Sequence, residues 1–375
     1  MYRVTLIQRV LPHYRISFVK ALRERLWAHD IELTLVYGQE RAGTVPRTVP
    51  LNESWARRVP NVYKNLGGME LVWQRCLGAI GRSDLIIVEQ SNRLLVNYLL
   101  QLQRSWSSRR LAFWGHGRNF QSARTFRERM KERLLRHVDW WFAYTDLTRS
   151  VLVDSKYPES CVTVVNNAID DAVLQNAMRT LAASDRQSVA ASIGCNGERV
   201  AVYVGGLYRD KRLDFLLQAA HLIKASVPDF ELVVVGDGPD RHIVEQAAAE
   251  HAWIKYAGAK TGPDVAPYLA VAKVVLMPGL VGLVLLDSFI AGCPLVTTEF
   301  AAGHSPEMAY LQPGVNGVMT RDDVHAYAAG VIGCLQDRTQ LESLREGCRV
   351  SAQRYSMSAM VENFASGIER CLARS

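Results

Sequence analysis

The sequence predicts an α/β fold of two doubly wound domains, on three observations. Short apolar runs of strand length alternate with helix-length stretches through both halves of the chain. The alternation restarts near Val200, after a polar Ala/Ser-rich stretch, and Gly-bearing loops follow several of the strands. At 375 residues, 49% hydrophobic and 22% charged, the chain has the length for two domains and a globular composition, so disorder is excluded.

Taken in order, the first half opens with a strand at Val4–Gln8, an apolar-periodic helix at Ile16–Trp27 and a strand at Glu32–Tyr37. Leu85–Glu89, Leu111–Trp114 and Trp141–Tyr144 read as further buried strands with helical stretches between them, and "VTVVNNAID" (Val162–Asp170) as the last strand of this half. The polar stretch at about 176–198 reads as the linker between a domain at 1–175 and one at 199–355, with 356–375 a C-terminal helix returning to the first domain. The second half gives strand Val200–Val204, helix Leu213–Ala225, strand Glu231–Val235, helix His242–His251 and strand Trp253–Tyr256. Strand Val274–Met277, a helix after Gly282 and strand Leu295–Thr298 follow. Strands alternating with helices give parallel sheets covered on both faces. The architecture expected is two Rossmann-like domains facing each other across a cleft, with ligands at the carboxyl ends of the strands.

The run "VLMPGLVGLVLLDSFIAGCPLV" (Val275–Val296) has nearly the length of a membrane span and one charge, Asp287. Pro278 with Gly279 and Gly292 with Pro294 break it into strand, Gly-rich turn, short helix and strand, which is a soluble unit. The start "MYRVTLIQRVLPHYR" is too short in its apolar run and too charged for a signal peptide, so a cytoplasmic chain is expected. Seven scattered cysteines without a C-x-x-C pair read as free thiols in a reducing compartment. Residues 1–175 carry 26 Lys and Arg against 16 Asp and Glu, a net of +10, while 176–375 carry 18 against 21. A basic front half suits an anionic partner: nucleic acid, an anionic membrane or a phosphorylated substrate.

Four loops after strands of the second half carry the chemistry. "VGGLYRDKR" (Val204–Arg212) has Gly205, Gly206 and the cations Arg209, Lys211 and Arg212. "VGDGP" places Gly236 and Gly238 in a tight turn. "PGLVGL" (Pro278–Leu283) runs into a helix whose first N–H groups suit a phosphate, with Lys211 supplying an ammonium for a diphosphate. Asp287, one turn into that helix, is placed to accept bonds from ribose hydroxyls, and "AAGHSPE" (Ala301–Glu307) is the fourth Gly-bearing loop. Each signal also has a structural reading, as a plain turn, a solvated lysine or a buried cap. Their order argues for a shared ligand.

That order, "GGLYRDK", "GDGP" and "GLVGLVLLD", resembles the nucleotide-sugar-binding half of the family 4 retaining glycosyltransferases of the GT-B fold. The resemblance covers about Val200–Gly317 well. "VLPHYRISFVKALRERL" and "WGHGRN" (Trp114–Asn119) are similar to the front halves of some members. It implies that Lys211 neutralises the donor diphosphate, that the amides of Gly282 and Leu283 bind its distal phosphate, and that Asp287 holds the ribose. It implies further that His116 lies beside the donor sugar, that His13 and Arg15 face the acceptor side, and that transfer retains anomeric configuration. The family's phosphate-binding Arg falls on Gly206, so Arg209 or Arg212 must substitute. The first Glu of its Glu-x7-Glu motif falls on Gly279, with Glu307 the nearest replacement in sequence.

"RTFRERMKERLLRHVDWWFAY" (Arg124–Tyr144) sets Arg124, Arg127, Arg129, Lys131, Arg133 and Arg136 before Trp140 and Trp141, and "QRSWSSRR" (Gln103–Arg110) adds cations. The stretch reads either as a solvated helix face or as a surface for anionic lipid headgroups. Nucleic acid is disfavoured because no nucleic-acid motif accompanies the charge. The function expected is a glycosyltransferase peripheral to the inner face of the cell membrane. It would move a sugar from a nucleoside-diphosphate-sugar to a lipid-linked saccharide in surface-polysaccharide synthesis. Neither cofactor nor metal is expected, because no Asp-x-Asp pair sits at a strand end. The alternatives are a catalytically weakened nucleotide-sugar-binding or partner module and another cleft enzyme, an epimerase or a phosphorylase.

Overall fold

The computed structural model describes residues 1–41, 43, 50–116, 137–196, 198–300 and 306–374. The chain divides into two units, Met1–Asp170 with Met357–Ser375, and Asp171–Ser356.

Among the described residues the first unit contains nine strands: β1 (Tyr2–Gln8), β2 (Ile31–Gly38), β3 (Ala56–Val59), β4 (Asn61–Leu66), β5 (Met69–Gln74), β6 (Leu85–Glu89), β7 (Arg110–Gly115), β8 (Trp140–Ala143) and β9 (Val162–Val164). Seven form one sheet in the order β3-β2-β1-β6-β7-β8-β9, every neighbouring pair parallel. The central strands are continuous apolar runs because helices cover both faces. Helix Ile16–Trp27 turns Phe18, Val19, Leu22 and Leu26 inward as one stripe. The terminal helix Met357–Ala373 packs beside it, with Phe364 stacked on Phe142 at 4.3 Å and edge-on to Phe18 at 5.4 Å and Trp114 at 5.0 Å. Gly367 lets this helix lie close, since a Cβ there would meet Thr163 Oγ1 at 2.6 Å and the Phe142 ring at 2.7 Å. Arg25 fastens the two helices through Glu362 (2.7 Å) and Glu369 (3.0 Å).

The second unit contains β10 (Arg199–Val204), β11 (Phe230–Val235), β12 (Ile254–Gly258), β13 (Val274–Leu276), β14 (Leu295–Thr298) and β15 (Gly317–Thr320). Their order is β12-β11-β10-β13-β14-β15, again wholly parallel. Each sheet is therefore doubly wound about its first strand, the arrangement of two Rossmann-like domains. The helices Leu213–Ser226, Arg241–Glu250, Ala266–Val271, Val284–Ile290, Val324–Gln336 and Arg338–Arg354 cover it. Asp323 and Asp337 cap the last two, accepting from Ala326 N (2.8 Å) and Gln340 N (2.9 Å).

Several expectations are corrected. Residues 176–198 are not a bare linker: most of the segment is helical, in Ala172–Ala182 and Arg186–Ser192 of the second unit. Its Ala/Ser richness suits helices as well as a connector, and Leu174, Val189 and Ala190 are buried. The last strand of the first unit ends at Val164, because Asn166 takes a left-handed φ of +54°. Trp140 and Trp141 are core residues, 1% and 0% exposed, and unavailable to a membrane. The antiparallel hairpin β4-β5 was not expected, although Gly67 (φ +56°) and Gly68 (φ +78°) form the positive-φ turn such hairpins need. The basic residues Arg124–Arg136 lie outside the described residues, as do Arg118 and Asn119. Among the described residues no helix is long and apolar enough to cross a membrane. All seven cysteines are free and buried.

Candidate active site

In the second unit the strand order reverses direction between β10 and β13, so the loops leaving their carboxyl ends are neighbours. Ligands of open α/β sheets sit at such a point. Three loops meet there backbone to backbone. Gly205 N donates to Val235 O (3.0 Å), Leu207 N to Asp237 O (2.9 Å) and Asp240 N to Leu207 O (3.0 Å). A Cβ on Gly236 would fall 1.8 Å from Gly205 O, and one on Gly238 would fall 2.2 Å from Leu207 O. These two glycines are thus explained by loop-on-loop packing. Tyr203 and Tyr256 donate from below to the carbonyls of Gly206 (2.7 Å) and Gly236 (3.1 Å).

Gly279 answers to the same constraint. Its missing Cβ would lie 2.3 Å from Asp210 O and 2.7 Å from Lys211 Cα, and Leu280 N donates to Asp210 O at 3.0 Å. No side chain fits here while the loop after β10 keeps this position, which is why the carboxylate of the resembled motif has no counterpart. Lys211 is 6% exposed and donates through Nζ to Leu280 O; burial lowers its pKa. It therefore ties the loops after β10 and β13 together.

The other two cations of the loop part ways. Arg212 pairs with Asp322 and lies between the rings of Phe215 (4.4 Å) and Phe300 (4.7 Å). Arg209 is exposed, and no carboxylate pairs with it among the described residues. Gly282 faces open space, and the amides of Gly282 and Leu283 meet no acceptor among the described residues. Asp287 follows in helix Val284–Ile290, half-buried, and burial pushes its pKa up to about 6. Glu307 is buried in the turn Pro306–Tyr310, beyond the undescribed residues 301–305.

In the first unit the site residues named from sequence lie at the carboxyl ends of β1 (His13 and Arg15) and β7 (His116). His116 follows β7 directly and its ring meets Tyr144 edge-on at 4.1 Å. Arg15, in the short turn His13–Arg15 after β1, is 5% exposed; its Nη2 donates to the Tyr144 hydroxyl (3.3 Å) and its guanidinium lies 4.3 Å over the Trp114 ring. His13 is exposed and touches Tyr14 edge-on at 5.8 Å. Sequence reasoning missed Tyr144, although a Tyr closing an apolar strand run marks such a position. It also missed Asp322, which carries no local signal because its partner lies 110 residues away. Among the described residues no three His, Cys, Asp or Glu side chains gather as a metal site would need.

This geometry sits in a segment that similarity also singles out. Residues 198–337 match the family model of the group 1 glycosyl transferases. That match spans β10 to the helix Val324–Gln336 and includes each of the three converging loops. Over the whole chain the fold is that of GT-B glycosyltransferases. A Rickettsia africae glycosyltransferase aligns at TM-score 0.69 and 12% identity, covering 100% of this chain and 99% of its own. The Anabaena protein HepE, solved with UDP, aligns at 0.67 and 14% identity over 98% and 100%. Sucrose-phosphate synthase from Thermosynechococcus elongatus aligns at 0.67 and 16% over the whole of both chains. No curated protein matches the chain in sequence.

Proposed function

We propose that the protein is a glycosyltransferase that uses a nucleoside-diphosphate-sugar, with UDP the base-bearing group to try first because HepE was solved with UDP. The observation that carries this reading is that the loops after β10 and β13 at the switch point of the second unit carry an exposed cation, Arg209, with no paired carboxylate among the described residues, and the open amides of Gly282 and Leu283. Arg209 takes the charge that the resembled family gives to an Arg at the Gly206 position, because Arg212 is already held by Asp322. The amides of Gly282 and Leu283 receive the distal phosphate, and Lys211 completes the neutralisation without a metal. Asp287 accepts from the ribose. His116 and Glu307 are assigned to the sugar side, with His13 and Arg15 toward the acceptor.

In the transfer the bond from the sugar's anomeric carbon to the diphosphate oxygen breaks with its electron pair on that oxygen, a bond to the acceptor hydroxyl oxygen forms, and the hydroxyl proton passes to the departing diphosphate. Stabilising the departing diphosphate is the main catalytic demand, and fixed donors meet it without reorganising. Retention of configuration, a lipid-linked saccharide acceptor, a role in surface polysaccharide and attachment to the inner face of the membrane complete the proposal. The basic first half supports the last of these. Release of UDP from UDP-glucose, with and without a lipid extract, tests the reading; NMR of the product's anomeric proton reads the stereochemistry. A second reading, a nucleotide-sugar-binding module with weakened chemistry, is favoured by Gly279, where no carboxylate can be carried. Diphosphate binding without turnover of any sugar donor would select it.

A further inference from the structure

Helix Leu95–Gln103, which lies between β6 and β7 in the chain, inverts the usual pattern of a surface helix. It turns two amides inward beside Val96 and Leu100, Asn97 at 4% exposure and Gln101 at 8%. Asn97 Nδ2 donates to Glu89 O at 2.9 Å, so this inward polar group is satisfied at the end of β6. The outward face carries Leu95, Tyr98 and Leu102, and Trp106 follows in the turn Arg104–Trp106. Spacings of three, four and four residues set these side chains in one row. Leu102 is 55% exposed and Trp106 77%. A single exposed leucine is ordinary, but an aligned row of large apolar side chains marks a surface that meets something apolar.

The charge beside the row narrows what that is. Residues 91–111 hold four arginines and no Asp or Glu. Arg104 pairs with Asp139 at 2.6 Å, and Arg110 donates to Leu372 O. Arg93 and Arg109, toward the two ends of the row, are exposed, and no carboxylate pairs with either among the described residues. Next to Trp106 a cavity of about 280 Å³ has Ile86, Leu100 and Leu111 in its lining together with Arg104, Arg109 and Arg110. A second copy of this chain would oppose the same cations to one another, and a nucleic acid strand would leave the leucines in water. An anionic lipid surface takes both features, the apolar row at the acyl boundary and the guanidinium groups on the phosphates. The Trp106 indole, apolar with one N–H donor, suits that boundary. We infer that helix Leu95–Gln103 with Trp106 is the membrane-docking surface of the first unit, lying in the plane of an anionic bilayer with Arg93 and Arg109 on its phosphates. This docking deepens the membrane attachment proposed above and rests on it; it assigns the contact to an apolar row rather than to the basic stretch Arg124–Arg136.

Flotation of the full chain with phosphatidylcholine vesicles, with and without phosphatidylglycerol, tests the surface. Wild type is compared with Leu102→Ser/Trp106→Ser, with Arg93→Gln/Arg109→Gln and with Arg127→Gln/Arg129→Gln. The first two pairs alter exposed side chains, and melting followed by circular dichroism verifies that they stay folded. Partition into anionic vesicles is expected to fall about tenfold or more in each of these two pairs and less than about threefold in the third. The Arg93→Gln/Arg109→Gln pair is also expected to flatten the dependence on salt. Brominated phosphatidylcholine mixed with phosphatidylglycerol is expected to quench wild-type tryptophan fluorescence and to spare Trp106→Phe, a readout that a merely structural Trp106 would not move. Equal flotation of wild type and both helix pairs, or quenching retained in Trp106→Phe, would overturn the docking surface and leave membrane attachment standing. Failure of wild type to float with any vesicle would remove membrane attachment, and the surface with it. A wild-type dimer in sedimentation that dissociates in Leu102→Ser/Trp106→Ser would give the row to a second copy and overturn the inference as well.

Discussion

Asp287 is held one turn into its helix by Leu285, Leu286, Ser288 and Phe289, all buried, and its carboxyl rises from an ordinary 3.8 to about 6. The folded chain binds this proton more tightly than the unfolded chain does. The ionised group therefore carries a penalty that is full above pH 6 and is relieved as pH falls toward 4. Asp287→Asn should gain about 1–3 kcal/mol in urea unfolding at pH 7.5 and almost nothing at pH 4. The same substitution should weaken UDP about tenfold at neutral pH, and wild-type affinity should decline as pH falls through about 6. Equal stability of the two proteins at pH 7.5 would show that the carboxylate is solvated. Gly279 makes the opposite kind of prediction. Gly279→Ala should cost about 1–3 kcal/mol, read by urea unfolding, because the added Cβ meets backbone rather than a movable side chain. Restoring the resembled motif by Gly279→Glu should lower diphosphate affinity, since the loop holding Lys211 must shift to admit it.

At the scale of elements, the terminal helix Met357–Ala373 shows how one residue can join several layers. Phe364 touches Phe18, Trp114 and Phe142, so Phe364→Ala should destabilise the first unit by about 3–5 kcal/mol in urea unfolding. Arg25→Ala should cost only about 1 kcal/mol, because Glu362 on the far side of that pair is largely solvated. The core strands were legible because β1, β6, β10 and β11 are buried on both faces and read as unbroken apolar runs. The hairpin β4-β5 was not, since Val62, Tyr63, Lys64 and Asn65 are at most half-buried and dilute the apolar signal. The stretch 176–198 misled because few of its side chains are buried, and helices held by two or three apolar contacts resemble connectors in composition. At the candidate site, the loops could be ordered from their glycines alone. The partners that decide between Arg209 and Arg212 could not, because Asp322 reaches Arg212 from the far end of the unit.

On the scale of the whole molecule, the chain repeats one sheet plan twice, and each copy places polar residues in loops at the carboxyl ends of its strands. The second unit offers open amides and, in Arg209, an exposed cation that no carboxylate pairs with among the described residues; in the first, Arg15 is buried and likewise has no paired carboxylate among the described residues. The basic excess of residues 1–175 predicts stronger flotation with anionic vesicles than with neutral ones, weakening as salt rises. Indifference to lipid charge would leave the protein without a membrane role. The central claim, a nucleoside-diphosphate site in the second unit, is tested most directly by calorimetric titration of UDP, GDP, dTDP and CMP into wild type, Arg209→Ala and Asp287→Ala. The account predicts selective binding of one diphosphate, weakened about tenfold by each substitution. Absence of binding to all four, or binding that neither substitution changes, would contradict it.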